Sequence, residues 1–364
     1  MDFAFSEEQQ MLRDSARGFL QSKFTPERVA ELADSDEGWD RASWGEIAEL
    51  GWLGLSVPED NGGAGFGFIE EAVVFEELGR ALYPGPYFST VGLALPALIG
   101  SDALEKVVSG DSVVTFAWAE GSGPQRLADL DGLSTKAEQD NGGWKLSGEK
   151  AFVPDAAAAD LAVVAASATE GVGLYLVDLA DAQVTSDSTM DPTRRLGRIR
   201  LDGVPARQLV GPQDSGTVLS RIRLRALSAL ALEAVGIAQT ALDLAKAYVT
   251  ERKQFDKPIG AYQAVSHQVA NTYVDLELAR SLAYWAAWCV SESDDQAPVA
   301  VAAAKSAAAE AAVSACERSI QVHGGIGFTW EHPLHRYYKR AQWIDSFDGF
   351  GAEHRKEVAA AILG

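Results

Sequence analysis

Cysteine is nearly absent: Cys289 and Cys316 are the only two in 364 residues. That is too few for a disulfide framework or a four-cysteine zinc site, and both are expected as small buried hydrophobes. Basic residues are also short, 31 against 52 acids, which leaves a net charge of −21. Such a chain repels nucleic-acid phosphates and anionic lipid heads, so neither nucleic acid nor a membrane surface is expected as a partner. No run approaches the roughly 20 uncharged apolar residues of a membrane span. The opening MDFAFSEEQQ lacks the basic start and apolar stretch of a secretory leader, so a cytoplasmic protein is expected. No Walker or dinucleotide-fold glycine pattern follows a strand-like run, which argues against ATP and NAD. His332 and His335 have ligand-like spacing in HPLH, but Pro333 breaks the helix that would align them. They are expected as surface histidines, and no metal site is expected.

What remains is 47% hydrophobic, enough for a large core in two or three packed units. The period of the apolar residues changes twice along the chain. Residues 1–111 read as helices with short breaks: Ser6 and Gln9 form a capping box, Pro26 stands at a first helical turn, and IEEAVVFEELGRAL is a helix after the glycine-rich loop VPEDNGGAGFG. Residues 112–213 alternate with period two in short β-rich runs, with a turn signal at Asp140, Asn141 and Gly142. From 214 to 364 the helical period returns in long segments. One face is marked by Leu227, Leu230, Ala234, Ile237, Ala241, Ala245 and Tyr248. The expected fold class is α+β and multidomain: a helical domain (1–111), a middle β-barrel or sandwich (112–213) and a C-terminal four-helix-type bundle (214–364).

Two bundle segments carry more special residues than packing needs. ERKQFDKPIGAYQAVSHQVAN, residues 251–271, interrupts two long helices with Pro258 and Gly260 and holds Arg252, Phe255 and Gln263. QVHGGIGFTWEHPLHRYYKRA, residues 321–341, places Gly324, Gly325 and Gly327 after a helix end. Glycines there let a ligand approach backbone N–H groups, and a nearby fixed-charge arginine suits a diphosphate.

These two segments, with VPEDNGG and EELGR, resemble motifs of the acyl-CoA dehydrogenase family in order and spacing. The resemblance implies FAD as cofactor. Arg252 and Phe255 would contact the FAD diphosphate and adenosine region of a neighbouring subunit, with Gln263 in the same adenosine area. Gln321, Val322, His323, Gly324 and Gly325 would form a backbone cradle on the other side. Asp256 departs from the family's usual glycine. In the middle domain AEGSGPQ after Trp118 and FVPD match the family's flavin-contacting stretches less well. Phe152, Val153, Pro154 and Asp155 stand there in place of the family's Trp-Ile-Thr-Asn.

The reaction implied is removal of the α-proton of an acyl-CoA thioester, with hydride transfer to flavin and release of the 2,3-enoyl product. The family's base is a glutamate. Its usual loop position aligns with Asp348, one methylene shorter, a loss of roughly 1.5 Å in reach against a near-attack distance of about 3 to 3.5 Å. The second candidate is Glu233, alone in the apolar run ALSALALEAVGIAQTAL, where a carboxylate must be paired, protonated or useful. A polyanionic CoA on an acidic protein needs a local basic mouth, for which Arg221, Arg223 and Arg225 are candidates, Arg225 in particular as a substrate contact. Since half the FAD site would come from a second chain, a homo- or hetero-oligomer is implied. The missing glutamate and altered flavin contacts resemble the smaller subunit of bacterial heteromeric acyl-CoA dehydrogenases. The family implies an electron-transfer flavoprotein as acceptor.

Overall fold

The structure, a computed structural model, describes residues 5–364 apart from 122–125, 128, 131 and 141. The SGPQ part of AEGSGPQ and Asn141 of the expected turn therefore lie outside the described residues. Helices α1 (Glu7–Lys23), α2 (Pro26–Asp34), α3 (Arg41–Glu49), α4 (Phe68–Ala81), α5 (Leu95–Leu98) and α6 (Ala103–Val108) come first. Strands β1 (Val114–Ala117), β2 (Lys136–Asp140), β3 (Gly143–Pro154), β4 (Leu161–Ala168), β5 (Gly171–Asp178), β6 (Gln183–Ser186) and β7 (Leu196–Val210) follow. Helix α7 (Pro212–Glu251) is separated by a small hairpin, β8 (Lys253–Gln254) and β9 (Lys257–Pro258), from α8 (Gln263–Ser291), α9 (Ala297–His323), α10 (Leu334–Ser346) and α11 (Gly351–Leu363). By contacts the chain forms two compact units. One holds Met1–Ala30, Phe68–Tyr83 and Leu227–Gly364, the other Glu31–Gly67 and Pro84–Ala226.

The first unit is helical. Ser6 Oγ accepts from the Gln9 N–H and Gln9 Oε1 from the Ser6 N–H, both at 3.1 Å, the reciprocal cap expected at the start of α1. Helix α4 buries Glu71, Glu76 and Glu77, a cost met by pairing. Glu76 accepts from Tyr284 Oη at 2.7 Å and pairs with Arg280, while Glu77 takes Arg17 bidentately at 2.7 and 3.0 Å. The α4–α7 crossing is a backbone contact. A Cβ on Gly79 would lie 2.1 Å from the Glu233 carbonyl oxygen, and one on Gly236 2.1 Å from that of Glu76, so both positions require glycine. Helix α7 exceeds the single apolar face expected of it, since every residue from Arg225 to Ala238 is buried. Helices α7 and the Ala297–Phe328 stretch are long and apolar enough to cross a membrane, but 78% and 67% of their apolar windows are buried inside the protein, as in core helices.

In the second unit β4, β2, β3, β7 and β5 pair in a ring, because β5 also pairs with β4, while β1 and β6 add on β4 and β7. The sheet is thus a closed barrel and not a sandwich, with Leu146, Val153, Val164, Tyr175 and Ile199 in its core. A seven-residue π-helical stretch, Phe88–Ala94, packs beside β1.

Candidate functional site

The interruption between α7 and α8 is a built hairpin. Phe255 and Asp256 have φ of 50° and 64°, the left-handed pair that a two-residue type I′ turn demands. Asp256 is among the few non-glycine residue types that tolerate it, which explains why glycine is the usual choice there. The Ile259 N–H closes the loop onto the Arg252 carbonyl at 2.8 Å. At the tip the Phe255 ring is 87% exposed, flanked by exposed Arg252, Lys253 and Lys257, with Lys257 Nζ 4.4 Å from the Tyr262 ring centre. Gln263, at the start of α8, is also exposed.

Helix α9 ends beside this hairpin. Gly324, with φ of 66°, caps it by donating to the Ile320 and Gln321 carbonyls. Val322 turns inward onto Ala245, Val249, Ile259 and Val265. His323 stacks on Tyr248 at 4.4 Å and meets His332 at 4.6 Å. Its Nδ1 sits 2.7 Å from the Ser319 carbonyl, so Nδ1 carries the proton. These contacts bring the 251–271 and 321–341 segments to one end of the bundle. Gln321, Gly324 and Gly325 face outward there, and a Cβ built on either glycine would enter open space. His332 and His335 are half-buried and not on the surface as expected: His332 packs on His323 and His335 on the Trp330 ring.

In the barrel unit, Phe152 of FVPD lies in a bulge of β3 between Lys150 and Val153, and Val153 and Pro154 resume pairing with β7. Phe152 has φ of 54° and its ring lies 5.9 Å from the Arg198 guanidinium. The Val153 side chain is buried in the barrel core, so its expected cofactor contact is open to its backbone alone. Pro154 O accepts from Thr115 Oγ1 at 2.5 Å, and Asp155 accepts from Ser89 Oγ at 2.7 Å. Sequence reasoning missed Lys150. Its fully buried Nζ donates to Glu120 at 2.7 Å and to the Trp118 carbonyl at 3.1 Å. Glu120 also accepts from Ser134 N and Oγ at 2.6 Å and from Thr135 N at 3.0 Å. Burial pushes the Glu120 carboxyl up, but these hydrogen bonds outweigh it and hold it at about 2. Because this value lies below the 4.5 of an unfolded glutamate, the unfolded chain takes up the proton first. The stabilisation is complete above pH 4.5 and is lost as pH falls toward about 2. Allowing for solvent screening, about 1–2 kcal/mol is at stake. Glu120→Gln is expected to remove that part of the acid dependence of the urea midpoint, and an identical pH profile for the variant would refute the assignment.

Of the two candidate bases, Glu233 has a different occupation. Its Oε1 lies 2.5 Å from Arg340 Nη1, with side-chain exposures of 3% and 0%, and the same guanidinium donates to the Tyr83 carbonyl at 3.4 Å. A carboxylate this deeply buried is stabilised by such a pairing, so Glu233 stands here in a structural ion pair. Asp348 is buried in the α10–α11 turn, with φ of 57° and Gly349 at 105°. Arg225 is likewise occupied: its Nε donates to the Val91 carbonyl at 3.2 Å and Nη2 to Ser56 Oγ at 2.9 Å, tying α7 to the π-helical stretch. It is buried in this arrangement, and a role as substrate contact finds no support.

The comparisons with known proteins agree over the whole chain. Residues 6–107, 115–204 and 224–363 match the acyl-CoA dehydrogenase N-terminal, middle and C-terminal domains in turn. The chain belongs to the acyl-CoA dehydrogenase family. It is 32% identical over 362 residues to acyl-CoA dehydrogenase FadE27 of Mycobacterium tuberculosis, covering 94% of this chain and 93% of that one. Among solved structures, the Tcur3481-Tcur3483 steroid ACAD is 33% identical with a TM-score of 0.86, covering 98% of each chain. The ChsE4-ChsE5 complex from Mycobacterium tuberculosis is 28% identical with a TM-score of 0.89, covering 100% of this chain and 99% of that one.

As an acyl-CoA dehydrogenase, the protein is an FAD-dependent oxidoreductase acting on CH–CH bonds. The residues present fit part of that cofactor. Outward-facing Gly324 and Gly325 leave backbone room for a diphosphate, and exposed Arg252 supplies charge on the neighbouring hairpin.

Proposed function

We propose that this chain is one subunit of a two-chain, FAD-dependent acyl-CoA dehydrogenase that converts an acyl-CoA thioester to its 2,3-enoyl product. Arg252 and Phe255 of the hairpin, with Gln263, would hold the diphosphate and adenosine end of FAD. Gln321 and the backbone of Val322, His323, Gly324 and Gly325 would close on it from the other side. FAD supplies the hydride acceptor of the reaction. This chain's residues bind and orient it, and their outward-facing position calls for a second chain to complete the site. The observation that carries the reading is the contrast between that intact, exposed half-site and the chain's own acids: Glu233 is locked to Arg340 and Asp348 is one methylene short. Exposed Phe255, Ile326, Phe328 and Trp330 at the same end, with Val274 and Leu278 on α8, leave apolar surface for a partner to cover. The ChsE4-ChsE5 complex and the Tcur3481-Tcur3483 steroid enzyme each join two differently named chains.

The acceptor in this reading is an electron-transfer flavoprotein, and the site of action is the cytoplasm. One observation favours a self-sufficient homo-oligomer instead: Asp348 keeps a buried carboxylate at the position of the family's base. Visible spectra of the chain purified alone, before and after anaerobic addition of acyl-CoA thioesters, separate the two. A colourless or unbleached chain that gains a bleachable flavin with its partner is expected. Full bleaching of flavin in the chain alone would overturn the two-chain reading.

A further inference from the structure

The turn that carries Asp348 is held in an unusual way. Asp348 and Gly349 both have positive φ, a conformation that aspartate and glycine tolerate better than other residues and that contacts from the surroundings can hold in place. The surroundings here act on the backbone. His354, fully buried on α11, has Nε2 3.1 Å from the Gly349 carbonyl, so that nitrogen carries the proton and donates it. Ser306 on α9 donates its hydroxyl to the Gly351 carbonyl at 3.2 Å and accepts from Arg355 Nη1 at 3.0 Å. Lys305, also fully buried, donates to the Asp345 carbonyl at 3.3 Å. Three carbonyls on both sides of residue 348 are thereby gripped from two helices. The fit leaves little slack, because a Cβ on Gly351 would stand 3.2 Å from both Ser306 Oγ and Arg355 Nη1.

We propose that His354, Ser306 and Lys305 are positioning residues: they clamp the carbonyls of the 345–351 turn so that residue 348 presents its carboxylate from a fixed backbone, whatever the length of its side chain. The clamp stands on geometry alone. Its meaning for catalysis rests on the self-sufficient homo-oligomer alternative, in which Asp348 is the chain's proton acceptor, and the two are tested separately. None of the three residues is a base in this scheme.

The test is amide hydrogen exchange of the full-length chain, read by mass spectrometry on peptides covering 346–352. His354→Leu removes the donor and is expected to speed exchange there about tenfold. His354→Gln, whose side-chain amide N–H can take the place of imidazole Nε2–H, is expected to restore most of the protection, which a merely space-filling role would not predict. Ser306→Ala, a smaller change, is expected to act in the same direction and serves if His354→Leu does not fold. Unchanged exchange in a folded His354→Leu or Ser306→Ala chain, or a Gln variant as fast as Leu, overturns the clamp. Asp348→Asn in the FAD-loaded assembly addresses the other reading: it is expected to abolish any wash-out of the acyl-CoA α-proton into deuterated water that this chain supports. Wash-out that survives it removes Asp348 as acceptor and leaves the clamp to the exchange data.

Discussion

Arg340→Met is expected to destabilise the helical unit by about 3–5 kcal/mol, seen as a large drop in its urea midpoint. The substitution roughly keeps the volume of the side chain but strips the charge from a guanidinium that is fully buried, and leaves Glu233 at 3% exposure facing an apolar interior. The Tyr83 carbonyl loses a donor in the same step. Most of the effect is the cost of an uncompensated buried carboxylate, not the worth of the pair. The double variant Glu233→Leu with Arg340→Met is therefore expected to recover most of the loss. A single-variant cost below about 1 kcal/mol would mean that solvent reaches the pair.

The second large effect is on the cofactor. Gly325→Val is expected to weaken FAD binding by about 30-fold or more while leaving the unfolding midpoint within about 0.5 kcal/mol of the parent, because a Cβ at this exposed position has no heavy atom within 4 Å. It occupies only the space proposed for the diphosphate. Arg252→Ala, which removes an exposed fixed charge, is expected to cost about 10- to 100-fold by the loss of a charge-assisted contact. Gly324→Ala differs in kind: with φ of 66°, an added Cβ strains the helix cap, so some stability goes along with the affinity. A flavin-fluorescence titration of the assembled protein measures all three. Parent-like affinity in Gly325→Val would place the diphosphate elsewhere.

The order of helices, strands and helices was legible because burial imposes period on a sequence. Alternation in 112–213 and the 3.6-residue repeat after 214 are direct records of which side chains face inward. The capping box at Ser6 and the interruption at Pro258 and Gly260 were legible for the same reason, since each is local chemistry. Closure of the barrel was not, because it depends on β5 returning to β4 as well as to β7, a long-range pairing that strand alternation leaves open. Lys150 escaped notice because a lysine in a strand reads as a solvated residue. Only its pairing with Glu120 across 30 residues makes its burial tolerable.

The candidate site divides along the same line. Residue types alone suggested room and charge for a diphosphate in 251–271 and 321–341, and the resemblance to the acyl-CoA dehydrogenase family is what implied FAD there. That these segments meet at one end of the bundle is decided by Val322, Val249 and Ile259 packing on one another. The sequence raised both acids as candidates, and the fold shows what Glu233 pairs with. Glu233 is the one charged residue in the apolar run ALSALALEAVGIAQTAL of α7, and Arg340 lies on the buried stripe of α10 with Leu334, Tyr337, Ala341 and Ile344, and only folding brings the charges to 2.5 Å. The sequence by itself determined the order of helices, strands and helices, which follows from local period, and pointed to the family through the resemblance of its motifs. The tertiary structure alone decided which residue Glu233 pairs with, which carbonyls of the 345–351 turn accept side-chain hydrogen bonds and which residues face outward. Electrostatic pairing and backbone strain depend on distances across the core that no local pattern encodes.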